Sequence, residues 1–240
     1  MTRVAVLGAA GRMGSTVCDA VESDSDLELV ARLDVDDPLE AAVENGAEVA
    51  VDFTTPQAVK DNVTWLLDHE IHCVVGTTGL SESDLADVRQ RAGASKANCF
   101  VAPNFAVGAV LMMQFAAQAA RYFDRAEISE RHHENKLDAP SGTALRTAEL
   151  MNEARGSKWS RVSGDQVSRG QDVDGINVHS LRVPGSVAHQ EVILGSAGET
   201  LTIKHDSLDR ASFMPGVILA VKRVATLPGL TVGLEHLLDL

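Results

Sequence analysis

The sequence predicts an α/β protein, with a doubly wound parallel sheet followed by a smaller α+β domain. Three observations carry this. Short apolar runs alternate with helix-like segments over the first hundred residues, a glycine-rich turn follows the first run, and the pattern changes after residue 105.

Residues 3–7 form an apolar run that ends at Gly8. Residues 15–22 read as a helix and 27–33 as a second strand ending at Asp34. Residues 48–53 form the third strand, after which Pro56 suits the first turn of a helix reaching about residue 68. The fourth strand, 71–75, runs into Gly76, Thr77, Thr78 and Gly79. Ser81 is placed to cap the next helix, with Asp84 in the box position. Residues 98–101 make a fifth strand, followed by Ala102, Pro103, Asn104 and Phe105.

The second half begins with a helix over 107–123, rich in Ala and Met. A polar cluster on a loop, a helix over 143–154 and a loop-rich stretch over 155–174 follow. Residues 188–194 and 199–206 read as a hairpin joined by Gly195, Ser196, Ala197 and Gly198. Pro215 opens a last helix, to about residue 225, that is expected to return to the first domain. The expected division is therefore 1–105 with 215–240 as a dinucleotide-binding domain, and 106–214 as a substrate-binding and oligomerisation domain.

Composition narrows the function. The 240 residues are 45% hydrophobic and 23% charged, ordinary for a globular protein, and the net charge of -13 disfavours nucleic acid or an anionic membrane as partner. No window has the length of a membrane span, and no leader pattern precedes the first strand, which points to the cytoplasm. Cys18, Cys73 and Cys99 lack paired spacing and lie in apolar stretches, so packing thiols are expected rather than a disulfide framework or zinc site.

The turn Gly8, Ala9, Ala10, Gly11, Arg12, Met13, Gly14 has G-x-x-G-x-x-G spacing, a variant of the Rossmann dinucleotide fingerprint. Its glycines allow a tight turn and close approach of backbone to pyrophosphate, and the following helix start offers N–H groups to the phosphates. Asp34, at the end of the second strand, can accept hydrogen bonds from ribose hydroxyls and would repel a 2′-phosphate. NADH is therefore expected to be preferred, while Arg12 leaves NADPH usable. The loops Gly76–Thr78 and Ala102–Phe105 end neighbouring strands, where ligands of open α/β sheets bind.

The most distinctive stretch spans residues 130–143 and holds Glu130, His132, His133, Glu134, Lys136, Ser141, Gly142 and Thr143. His is the natural proton donor near neutral pH, Lys136 can neutralise a carboxylate, and a Ser-Gly-Thr helix start can hold one. The cluster suits a small anionic substrate that also needs a proton. No metal is expected, because adjacent histidines on an extended chain point opposite ways. His69, His72, His179, His189, His205 and His236 show no such pattern.

These segments resemble the dihydrodipicolinate reductase family over nearly the whole chain: VAVLGAAGRMG, VDFTTP, VVGTTG, APNFAVGAVL, HHENKLDAPSGTA and GETLTIKHDSLDRASFMPGV. The resemblance implies a Rossmann domain and a substrate domain that close over a cyclic imine dicarboxylate, hydride addition at ring C4 and protonation at C3. It implies His132 as acid/base and Lys136 as a second proton donor, with His133, Ser141, Gly142 and Thr143 binding substrate. A homotetramer built through the hairpin sheet is also implied. Two departures stand out: Ala10 replaces a Lys common in compact relatives, and 182–186 replaces an R-G-G-D-like run, which is expected to bear on the hairpin and the subunit contact. A different Rossmann reductase, or a non-catalytic NADH-sensing module, would leave the histidine–lysine cluster idle.

Overall fold

The computed structural model describes residues 1–160 and 167–238. Residues 161–166, within the stretch read as loop-rich, and 239–240 lie outside the described residues. The chain divides into two compact units, Met1–Val107 with Phe213–Leu240, and Gly108–Ser212.

The first unit is built on a six-stranded sheet in which every pair is parallel. Its strands are β1 (Thr2–Leu7), β2 (Leu27–Leu33), β3 (Val49–Asp52), β4 (His72–Val75), β5 (Cys99–Val101) and β11 (Leu230–Val232), in the order β11-β5-β4-β3-β1-β2. The helices are α1 (Arg12–Ser23), α2 (Glu40–Glu44), α3 (Val59–Asp68), α4 (Glu82–Ala94) and α7 (Met214–Arg223). Continuous apolar strands follow from burial on both faces, and Val4, Ala5, Val6, Val49, Ala50 and Val51 are all closed to solvent. Between β1 and β3 the chain order reverses, so the sheet opens a crevice at the carboxyl ends of those strands.

Local chemistry sets the helix ends. Ser81 and Asp84 form a reciprocal capping box at the start of α4. Pro215 lies in the first turn of α7, where its missing N–H costs nothing. That helix packs beside α1, and Lys222 reaches Asp24 (2.9 Å) and Asp26 (2.8 Å) just past the end of α1.

The second unit carries a mixed five-stranded sheet of β6 (Arg125–His132), β7 (Gln171–Val173), β8 (Ile176–Arg182), β9 (Ala188–Ser196) and β10 (Glu199–Ser207), in the order β10-β9-β6-β8-β7. Only β6 and β8 pair in parallel. The helix α6 (Gly142–Arg155) buries Ala144, Thr147, Ala148 and Met151, and the sheet's inward positions Ile128, Val178, Val192 and Leu194 are buried likewise. The helix α5 (Val107–Ala119) is apolar nearly all round. Arg155, near the end of α6, donates to the carbonyls of Ala120 and Phe123 just beyond α5 and stacks over Trp159.

The structure corrects several boundaries. Helix α1 begins at Arg12 rather than Ser15, directly from the glycine turn. Pro56 lies in a turn ahead of α3, because the N–H groups of Ala58 and Val59 both fold back on the Thr55 carbonyl. Helix α5 stops at Ala119, four residues before the expected end, and an exposed turn containing Tyr122 follows. The polar cluster is not one loop, since its first residues close strand β6. Strands β6, β7, β8 and β11 were absent from the sequence reading. In β6 and β8 the alternation breaks because inward positions carry Glu130, Ser180 and Arg182 instead of apolar residues.

Candidate active site

In the first unit the glycine turn is shaped by close backbone approach. A Cβ on Gly14 would stand 2.0 Å from the Gly8 carbonyl oxygen, and one on Gly8, itself at φ +76°, would stand 2.4 Å from the Phe53 oxygen. Gly11 precedes α1 without a side-chain cap, and no acidic residue occupies the first turn. The N–H groups and positive partial charge of this helix start are thus left for an anion. Arg12 and Met13 are its first two residues, and Arg12 is exposed.

Asp34 closes the far side of the turn. Its carboxylate accepts from the Ala10 N–H (2.8 Å) and the Val35 N–H (3.0 Å), and these two bonds hold its pKa below the usual carboxylate range. The tie uses the Ala10 backbone, so it survives the departure at that side chain. Beside it lies a cavity of about 410 Å³ lined by Gly8, Gly11, Asp34, Val35, Phe53 and Thr54, among others.

A residue the sequence reading passed over organises the next two loops. Asp52 is 1% exposed; it accepts from the Thr54 N–H (3.0 Å), the Thr54 hydroxyl (2.8 Å), the Thr77 hydroxyl (2.6 Å) and the Asn62 amide (2.8 Å). A carboxylate ending a buried strand ahead of Thr-Thr was the available signal. Thr77 is therefore committed inward, whereas Thr78 is exposed. A Cβ on Gly76 would meet the Phe53 ring at 2.2 Å. In the loop after β5, the Ala102 N–H bonds the Val75 carbonyl, Pro103 is exposed, and Asn104 accepts from the Ala106 N–H. Phe105 is buried against Phe53 and Phe100, so its ring belongs to the core.

In the second unit the centre is Glu130, 1% exposed on the inward face of β6. Its Oε2 lies 2.6 Å from His132 Nδ1 and 2.9 Å from Arg182 Nη1. Its Oε1 accepts from Arg182 Nη2 (2.9 Å) and from the Ser141 N–H (3.2 Å). Burial pushes this carboxyl up, but hydrogen bonds from His132, Arg182 and Ser180 outweigh it and hold the pKa at about 2. Arg182 also donates to the carbonyls of Lys136 and Asp138, which fastens the intervening loop. The sequence marks Glu130 only as a member of the polar cluster and Arg182 only as part of the 182–186 departure. The 182–186 departure was expected to affect the hairpin, yet Arg182 ends β8 and belongs to this cluster, because β8 runs parallel beside β6.

The remaining motif residues gather around that centre. Lys136 Nζ donates to both oxygens of Asp138, at 2.7 and 2.8 Å, and lowers the Asp138 pKa. His133 is exposed on the turn that follows β6. Ser141 caps α6 by accepting from the Ala144 N–H. Gly142 and Thr143 are the first two residues of α6, at the positive end of that helix. A Cβ on Gly142 would meet nothing within 4 Å, so this edge is open to a ligand. Histidines outside the motif serve the framework: His179 pairs with Glu127 and His189 with Asp206. Among the described residues no group of His, Cys, Asp or Glu could hold a metal ion. No helix there is long and apolar enough to cross a membrane, and all three cysteines are free and buried.

Residues 2–105 match the family model described as dihydrodipicolinate reductase, N-terminus, and 108–238 match its C-terminus counterpart. The chain is 55% identical over 245 residues to 4-hydroxy-tetrahydrodipicolinate reductase of Nocardia farcinica, covering 99% of both chains. It is 54% identical to the enzyme of the same name from Streptomyces coelicolor, with 99% and 98% covered. Among solved structures, dipicolinate-bound dihydrodipicolinate reductase from Paenisporosarcina sp. TG-14 superposes with a TM-score of 0.90 at 39% identity, covering 99% of this chain and 100% of that one.

Proposed function

The chain belongs to the dihydrodipicolinate reductase family, and from that premise we propose how its own residues carry the reaction. It is an NAD(P)H-dependent oxidoreductase that reduces 4-hydroxy-tetrahydrodipicolinate to tetrahydrodipicolinate in the diaminopimelate route to lysine. Residues 1–105 with 215–240 bind the dinucleotide, and 106–214 bind the substrate and join the subunits.

The glycine cradle fits a dinucleotide, because backbone fills the space where side chains at Gly8 and Gly14 would stand. Gly8, Ala9, Ala10, Gly11, Arg12 and Met13 hold the pyrophosphate. Asp34 keeps lone pairs for ribose hydroxyls beside its two backbone bonds and repels a 2′-phosphate, so NADH is preferred and NADPH tolerated. The loop Gly76–Thr78, stiffened by Asp52 through Thr77, and the loop Ala102–Phe105 receive the nicotinamide ribose. The chemistry supplied by the bound cofactor is hydride donation.

The observation that carries the rest is the His132 ring, fixed through Nδ1 beside a helix start suited to a carboxylate. Loss of the 4-hydroxyl as water leaves a conjugated imine; after hydride addition at ring C4, protonated His132 gives the Nε2 proton to C3, becomes neutral, and is reprotonated from solvent. Gly142 and Thr143 N–H groups bind one substrate carboxylate, with Ser141 setting their direction. Lys136 exchanges Asp138 for a substrate carboxylate and stands as a second proton donor, and His133 adds a contact. The substrate thus meets anchors and acid in one place, despite an overall charge of -13.

A coupled assay tests this reading. Pyruvate and aspartate semialdehyde are condensed by a synthase in situ, and oxidation of NADH and of NADPH is followed after the protein is added. Oxidation that needs both condensation substrates and runs faster with NADH is expected. Absence of oxidation by a folded protein that binds NADH would contradict it.

A further inference from the structure

We infer that Glu130, locked by Arg182, is a positioning residue that fixes His132 as the Nδ1–H tautomer and so makes Nε2 the nitrogen that loses and regains the proton. The inference rests on His132 being the proton donor. It adds two residues, one on each parallel strand, that the motif alone does not assign to the chemistry.

An ionised carboxylate only accepts, so the nitrogen 2.6 Å from Glu130 Oε2 must carry hydrogen. The groups facing this carboxylate come from every neighbouring element. Arg182 and Ser180 approach from β8, and the Ser141 N–H from the start of α6. Neutral Gln190 stands opposite on β9. Lys136 and Asp138 reach the centre through their carbonyls, both held by Arg182. The nearest charged partner is therefore a bidentate guanidinium, which keeps Glu130 ionised while it is buried. The carboxyl's low pKa agrees with that arrangement.

The arrangement also fixes what Gln would do at this position. Oxygen Oε1 serves Arg182 Nη2 and the Ser141 N–H, and neither donor can change its sense. Oxygen Oε2 serves Arg182 Nη1 and His132, and of these two only the imidazole can invert. The amide nitrogen of Glu130→Gln therefore turns to His132 Nδ1, which must then accept, and the neutral ring carries its hydrogen on Nε2. Loss of the negative neighbour also leaves the imidazolium without its buried counter-charge.

Two measurements test this. In the unmodified protein, nitrogen NMR of the His132 ring, assigned by difference from His132→Gln, should show the neutral ring protonated at Nδ1; protonation at Nε2 overturns the inference. In Glu130→Gln, kcat should fall by about 10²-fold, the alkaline limb of its pH profile should move to lower pH, and NADH affinity should hold. A limb that stays in place also overturns it. Where that variant does not fold, the NMR result decides. Full turnover in His132→Gln would instead remove the reading of His132 as acid, and leaves the tautomer measurement standing on its own.

Discussion

Lys136 and His132 share one short motif but are held by different partners, and the difference predicts different kinetics. His132 is braced by a buried carboxylate, whereas Lys136 leans on Asp138, a carboxylate more than half exposed on the same loop. A partly exposed ion pair of this kind is weak and easily exchanged, which suits the exchange of Asp138 for a substrate carboxylate proposed for Lys136. Lys136→Ala is expected to raise KM for the imine by roughly 10-fold, the scale of one hydrogen bond to a charged group, with a smaller fall in kcat. Steady-state kinetics with the in-situ substrate check this, and an unchanged KM would deny Lys136 the contact. The motif residues were legible as residue types with a chemistry. Their support was not, because the pairing of β6 with β8 that brings Arg182 to Glu130 is between residues 52 apart in sequence.

Among the elements, the glycine turn and the capping box were legible because their signals are local. Gly14 is there so that α1 can pass close to the Gly8 carbonyl. Gly14→Ala should therefore force the turn apart, costing about 1–3 kcal/mol of stability by overpacking and weakening NADH binding. Thermal unfolding and a fluorescence titration with NADH measure both, and a variant unchanged in each would contradict this account of the turn. Strands β6 and β8 escaped detection because their inward faces change character along their length. Their inward faces begin apolar, at Ile128 and Val178, and end polar, at Glu130 and Arg182. A strand whose inward face turns polar toward its carboxyl end loses the alternation by which strands are recognised. Strand β11 was hidden by length alone, with three residues pairing to β5.

At the scale of the whole molecule, the change of pattern after residue 105 did mark a change of architecture, from an all-parallel sheet to a mixed one. The second sheet is covered by α6 on one face. On the other, Leu181 (43% exposed) and Ile193 (38% exposed) stand in register with Arg131 and Glu127. We propose that this face joins the subunits of a homotetramer. Light scattering should then give the mass of four 25.5 kDa chains, and Ile193→Asp should lower it; a monomer in the unmodified protein would refute that assembly. The central claim, that His132 supplies the proton, is tested most directly by His132→Gln. Turnover in the coupled assay and NADH affinity by titration are measured on the same sample. A fall in kcat of about 10²-fold or more with NADH affinity unchanged is expected, and kcat close to that of the unmodified enzyme would remove His132 as the proton source.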